Sequence, residues 1–487
     1  MKGRKTVSAV AAALALIVQM AAGSFASAAA PKCMGKTATK VGTAQSETIN
    51  GTKRNDVIVA RGGNDLVFGK GGNDLICGGG GNDELVGGGG NDKLSGGADT
   101  DFLNGGPGTN RVNGGAAGDW AYYHRSTVGV TGDLEAGEVT GQGTDKLESI
   151  EALAGSPFDD ELFGSEEGDT IFGDAGDDTI DGRAGLLDFI SGDAGDDELI
   201  GGGGAFAFDV AYYRFAPAGV QVDLDAGTAT GGAGTDTLVG MEGAWGSDFD
   251  DELRGDDGKN PFAGSEGDDV IDGRGEFDVV IFWVSPDGVN VDLGAETAEG
   301  EGSDSLIDIE GISGSPFGDD TLVGDEEDNY LDGYGGNDTM IGLGGNDWLS
   351  GGAGDDEMDG GAGTYDLVEF YETAPVTANL VTGIASGEGA DTLAGIEAIF
   401  GTFQDDHLTG DDGPNFFFGS EGNDVIDGGG GDDFLDGGNG DDSLFGGLGT
   451  DNCASGVSPE DCEGTQPPQN HVLFLDVLAA SSARRSF

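Results

Sequence analysis

Residues 69–104 read GKGGNDLIC, GGGGNDELV, GGGGNDKLS, GGADTDFLN, four consecutive units of nine residues. The sixth place of each holds Asp74, Asp83, Asp92 and Asp101, and the eighth holds Ile76, Leu85, Leu94 and Leu103. Working backwards, the same phase gives Asp56 and Asp65 with Ile58 and Val67. Working forwards, Asn110 replaces the acid while Val112 keeps the apolar place. Glycines in the first six places tolerate left-handed backbone angles and leave carbonyls free. One aliphatic between small or polar neighbours predicts a very short strand whose centre faces inward. A turn plus a short strand, repeated at a fixed period, predicts an all-β chain, a parallel β-roll or β-solenoid in which successive turns stack.

The nine-residue phase restarts four times. One run has Asp160, Asp169 and Asp178, then slips by one residue to Asp188 and Asp197. A second has Asp251, Asn260, Asp269 and Asp278. A third has Asp320, Asn329, Asp338, Asp347 and Asp356. The last has Asp406, Asn415, Asp424, Asp433, Asp442 and Asp451. Aspartates that merely solubilise a surface would be scattered; these are locked to one phase of the cycle.

Charge points to what the acids are for. The 487 residues carry 21 Lys and Arg against 92 Asp and Glu, a formal net charge of −71, and include 99 glycines. Self-repulsion on that scale opposes a compact state unless cations neutralise it. Carboxylates and carbonyls suit a hard divalent ion, Ca²⁺ before Zn²⁺, and Ca²⁺ takes six to eight oxygens, more than one loop can supply. Nucleic acid is excluded as a partner, because it requires a basic surface.

The pattern resembles the GGxGxDxUx signature of the repeats-in-toxin (RTX, haemolysin-type) calcium-binding family, over residues 51–112 and much of 160–453. The resemblance implies a parallel β-roll in which two nonapeptides make one turn. It also implies that the sixth-place carboxylate and loop carbonyls hold Ca²⁺ between turns. Carried over residue by residue, the expected ligands are every aspartate named in the runs above except Asp56, Asp278 and Asp451. Asn260, Asn329 and Asn415 depart from the pattern, and weak or empty sites are expected there. The 60–68 copy has Ala60-Arg61 in place of Gly-Gly, which weakens the expected first turn.

Between the runs lie longer segments of a second kind, beginning near Asp119, Asp209, Asp278 and Asp366. Each has an aromatic four places on: Tyr123, Tyr213, Phe282 and Phe370. Each then alternates toward a leucine from Val130, Val220, Val289 or Val376, which predicts a strand. A glycine turn with Asp145, Asp236, Asp304 or Asp391 follows, then a hydrophobic–Glu pair containing Glu151, Glu242, Glu310 or Glu397. These segments read as wider β rungs of the same solenoid, and the aromatics as stacked core. An exposed ladder for sugar rings is the rival reading, and burial of Tyr122, Tyr123, Tyr212 and Tyr213 would count against it. The recurring Glu reads equally as a Ca²⁺ ligand or as an acceptor that stabilises a turn.

Lys2, Arg4 and Lys5, the apolar stretch 9–22 and Ala26-Ser27-Ala28 read as a Sec-type signal peptide, with cleavage expected after Ala28. The family resemblance implies export by an uncleaved C-terminal signal instead, so this N-terminal signal is a departure from it. Four cysteines fit an oxidising compartment. Cys453 and Cys462 flank the last repeat and are expected to pair, leaving Cys33 with Cys77. The expected organisation is a signal peptide (1–28), an N-terminal cap (29–50) and a nonapeptide roll (51–118). Four repeat units follow (119–208, 209–277, 278–365 and 366–463, the last with a C-terminal cap), then a linker and disordered tail (464–487).

Catalytic motifs are missing. His124, His407 and His471 are far apart and form no H-E-x-x-H, and neither G-x-S-x-G nor a P-loop occurs. The expectation is a secreted calcium-binding repeat protein, structural or adhesive at or outside the cell surface, and not an enzyme. An extracellular polysaccharide is the candidate partner, and no segment of the mature chain is expected to span a membrane. The alternatives are a lyase- or epimerase-like solenoid enzyme acting on polysaccharide and a membrane-active toxin.

Overall fold

The computed structural model describes residues 31–454 and Cys462, apart from 186, 204–207, 233, 372–373 and 388. The expected signal peptide and the 464–487 tail lie outside the described residues. Among the described residues two compact units form: one up to Tyr122 together with Gln142–Ile150, and the other Tyr123–Gly141 together with the residues from Glu151 on.

In the first unit, strands separated by 18 residues pair in parallel. Strand Val57–Gly62 pairs with Leu75–Gly80 through Ile58↔Ile76, and Leu66–Gly71 pairs with Glu84–Gly89 through Val67↔Leu85. Two nonapeptides therefore make one turn, and alternate copies build two facing sheets. The eighth-place residues Ile58, Val67, Ile76, Leu85, Leu94, Leu103 and Val112 form one buried column between them. Residues 40–50 already stack on the roll, because Lys40–Val41 pairs with Val57–Gly62, and Thr48–Asn50 with Leu66–Gly71.

The five strands from Val57–Gly62 to Lys93–Ala98 are six residues long, longer than the very short strand expected. Pairing continues into the glycines of the next copy, as Arg61↔Gly79 and Gly62↔Gly80, because side-chain-free backbones of successive turns approach closely enough to pair. Cys33 and Cys77 are disulfide-bonded with Cα atoms 5.7 Å apart, closing a 44-residue span onto the third nonapeptide strand. Cys453 is bonded to Cys462. Replacing Cys33 and Cys77 by serine is expected to destabilise the first unit by about 2–5 kcal/mol. Calorimetry of the calcium-loaded protein would show this as a lowered transition.

In the second unit the nonapeptide strands are very short, as expected, at three residues, such as Glu161–Phe163, Thr179–Asp181 and Glu198–Ile200, again paired in parallel with Leu162, Ile180 and Leu199 buried at their centres. The longer segments insert antiparallel strands into this stack. Val220–Asp223, Thr228–Gly231 and Thr235–Val239 form an antiparallel trio. Its outer members rejoin the parallel stack, Thr235–Val239 on Glu198–Ile200 and Val220–Asp223 on Glu252–Arg254. Ser303–Ile307 and Ala390–Ala394 complete the same trio in the next two segments. Each such segment puts three strands where an ordinary nonapeptide puts one, which is how the rung widens.

Tyr123, Tyr213, Phe282 and Phe370 are buried, as the core reading expects. Tyr122 is buried in the first unit as well. Tyr212 alone of the four tyrosines named above is half-buried, stacked on Phe172 at 5.7 Å and edge-on to Trp245 at 5.4 Å. Among the described residues no helix is long and apolar enough to cross a membrane.

Candidate metal centre

The loop before each strand places its aspartate under the roll, and one carboxylate oxygen links successive turns. The Asp56 N–H donates to Asp74 Oδ1 at 2.7 Å, Asp65 to Asp83 at 2.8 Å, Asp74 to Asp92 at 2.7 Å and Asp83 to Asp101 at 2.8 Å. The same ladder runs through the second unit, for example Asp160 to Asp178 at 2.7 Å, Asp320 to Asp338 at 2.7 Å and Asp406 to Asp424 at 2.8 Å. All twenty aspartates expected from sequence are buried.

The other oxygen is the informative one. Oδ2 of Asp65, Asp74, Asp83, Asp92, Asp101, Asp178, Asp188, Asp197, Asp269, Asp338, Asp347, Asp356, Asp424, Asp433 and Asp442 is buried and accepts no hydrogen bond. A buried carboxylate oxygen without a donor is costly unless a cation meets it. Burial pushes several of these carboxyls up, Asp83 and Asp92 to about 6, Asp101 to about 7, and Asp178, Asp188, Asp269 and Asp338 to about 8.

A carbonyl from the next turn faces the same space. A Cβ on Gly69 would lie 2.5 Å from both Asp74 Oδ2 and the Gly87 carbonyl oxygen. One on Gly87 would lie 2.7 Å from Asp92 Oδ2 and 2.6 Å from the Gly105 oxygen. One on Gly428 would lie 2.5 Å from Asp433 Oδ2 and 2.7 Å from the Gly446 oxygen. At these positions the first glycine of the nonapeptide thus keeps a cradle open between a carboxylate and a carbonyl. Among the described residues no group of three or more His, Cys, Asp or Glu could hold a metal ion. Carboxylate and backbone carbonyl oxygens together are therefore the donor set on offer, and that set fits Ca²⁺.

Five of the expected ligands differ. Asp160, Asp169, Asp251, Asp320 and Asp406 already receive donors from the residue after the first glycine. The backbone N–H of Ser156 donates to Asp160 Oδ2, and those of Ser165, Ser247, Ser315 and Thr402 to Oδ2 of their own aspartates at 2.5, 2.5, 2.8 and 2.6 Å. Hydroxyls add a second bond, Ser247 Oγ to Asp251 Oδ1 and Thr402 Oγ1 to Asp406 Oδ1, each at 2.9 Å. Asn260 places its amide nitrogen 2.8 Å from the Glu242 carbonyl oxygen, where an acid would have put an acceptor.

Four acids outside the expected ligand set are comparable, two of them, Asp278 and Asp451, already placed in the nine-residue runs. Asp209, Asp278, Asp366 and Asp451 also bury an Oδ2 that accepts no hydrogen bond. Three of them open a longer segment; Asp278 and Asp451 keep the nine-residue phase, which was the available signal, whereas Asp209 and Asp366 fall out of it. The recurring Glu acts as a turn acceptor: Glu242 receives the Asp209 N–H and Glu310 the Asp278 N–H, both at 2.9 Å, and Glu397 the Asp366 N–H at 3.1 Å. It occupies the position that the next ladder aspartate holds elsewhere.

The sequence profile of the RTX calcium-binding nonapeptide repeat (4 copies) matches residues 41–76, 78–120, 155–185, 188–205, 228–244 and 245–280, and, in overlapping copies, 317–367 and 393–453. Together these matches cover more than half of the chain. No curated protein matches the sequence.

Proposed function

Since the chain belongs to the RTX calcium-binding nonapeptide repeat family, we propose that it is a secreted protein whose rolls are completed by Ca²⁺ outside the cell and serve a structural or adhesive role there. The observation that carries this reading is the series of buried carboxylate oxygens with no donor, those of Asp74, Asp83, Asp92, Asp101, Asp178, Asp188, Asp347, Asp424 and Asp433 sharing a cradle with a carbonyl of the following turn. Bound Ca²⁺ would supply positive charge between the turns. The chain's own part is to present the oxygens in phase, exclude water from one side and keep the cradle free of side chains. With a net charge of −71, a chain of this kind is kept expanded by its own repulsion where calcium is scarce and compacts where calcium is plentiful.

The test has two arms. Equilibrium dialysis of the mature protein against Ca²⁺ is expected to show multiple bound ions per chain, retained in excess Mg²⁺. Dialysis that finds no bound calcium would reject the reading. Protein recovered from the culture medium is expected to begin at Ala29; recovery only from the cell interior with Met1 intact would reject secretion.

A further inference from the structure

The nonapeptide loops come in two conformations, and their order along the chain is not random. In loops whose aspartate keeps an orphan oxygen, the residue after the first glycine has a left-handed backbone: φ is 79° at Asp174, 72° at Ser265, 62° at Tyr334 and 76° at Ser420. In loops that satisfy their own carboxylate, the equivalent residues Ser156, Ser247, Ser315 and Thr402 are not among the positive-φ residues, and their N–H turns onto Oδ2. Ser247 and Ser265 make the point within one run. Ser247 donates to Asp251, whereas Ser265 accepts from Trp245 Nε1 at 2.7 Å and leaves Asp269 Oδ2 without a donor. The backbone state, not the residue type, decides.

The self-satisfied loops always come first. After each longer segment the run opens with a capped aspartate, Asp160, Asp251, Asp320 or Asp406. Its remaining oxygen takes the N–H of Val130, Val220, Val289 or Val376 from that segment, at 2.5 to 2.7 Å. The second loop of the same turn is neutralised as well, by Ser165 on Asp169 in the first run and by asparagine in the others. There the N–H groups of Asp256, Asp325 and Asp411 meet Oδ1 of Asn260, Asn329 and Asn415 at 2.7 to 2.9 Å. Orphan oxygens begin only one turn later.

We propose that the first turn of each run in the second unit takes no calcium, and that these self-neutralised turns divide the calcium ladder into separately loaded banks. An N–H aimed at the carboxylate places positive polarity where a cation would otherwise meet the oxygen. The opening turn thus docks on the longer segment through backbone pairing and its own N–H donors without needing metal, and presents a formed carbonyl array to the first calcium-dependent turn. This inference rests on the calcium-binding reading above.

Paired substitutions test it by ion count. Asp251→Asn, Asp320→Asn and Asp406→Asn are each compared with the residue one turn on, Asp269→Asn, Asp338→Asn and Asp424→Asn. Bound Ca²⁺ per chain is measured by equilibrium dialysis of the full mature protein. The later member of each pair is expected to lose about one ion, and the opening member none. Three independent pairs keep the test decisive if one variant fails to fold. Equal losses within pairs would overturn the proposal while leaving calcium binding intact. A wild-type chain with no bound calcium would overturn both.

Discussion

Gly87→Val is expected to disrupt the first unit far more than its size suggests. The new Cβ would meet the Gly105 carbonyl oxygen at 2.6 Å and Asp92 Oδ2 at 2.7 Å, and the former is backbone that cannot swing away. Overpacking of this kind costs about 1–3 kcal/mol by itself. Here the side chain also fills the cradle between carboxylate and carbonyl, so stabilisation by the cation is lost too. Gly89→Ala is the control. A Cβ there meets nothing within 4 Å, and an open surface position is expected to change stability by less than about 0.5 kcal/mol. Thermal unfolding across a series of calcium concentrations separates the two contributions: the Gly87 deficit should grow with calcium, and the Gly89 variant should follow the wild type throughout.

The second large effect is an inversion of pH dependence on removing calcium. Burial raises Asp178, Asp188, Asp269 and Asp338 to about 8, and Asp197, Asp347, Asp424 and Asp433 to about 7, from an ordinary value of 3.8. A carboxyl whose folded pKa lies above its unfolded value favours folding when protonated. Its contribution is fully present below the unfolded value and is lost as pH rises through the folded one. In chelator, stability should therefore fall steadily between pH 4 and pH 8. In calcium the trend reverses, because the ion binds the ionised carboxylate and competes with protons. Denaturant melts in calcium, and far-UV circular dichroism in chelator, each at pH 5 and pH 8, would show the crossover. Parallel trends in the two conditions would mean that the buried carboxylates are not where calcium acts.

Much of this architecture is legible in the nine-residue phase. The phase places Ile76, Leu85 and Leu94 in the core, stacks each aspartate beneath its neighbour and leaves a glycine where a Cβ would obstruct. The pairing partner of the longer segments is not legible. Alternation at Val220–Asp223 marks a strand, but an antiparallel trio and a single broad rung leave the same period-two signature. The difference between Asp251 and Asp269 is also hidden from residue type alone, since both follow a Gly-Ser pair. What separates them is glycine later in the loop. Residues 246–251 read GSDFDD and residues 264–269 read GSEGDD, and the second sequence has the glycine that fits the alternative loop path. Asp209 and Asp366 escaped notice because each follows its predecessor in the ladder at a spacing other than nine, although burial and ladder geometry treat them alike.

The most direct measurement is a Ca²⁺ titration of the chelator-stripped mature chain at neutral pH, followed by far-UV circular dichroism. The expected result is a cooperative rise of β signal at about 10⁻⁴–10⁻³ M Ca²⁺, the range of extracellular calcium modules, with little response to Mg²⁺. A full β spectrum already present in chelator, and unchanged by calcium, would contradict it: the stacked turns would then hold together without the cation.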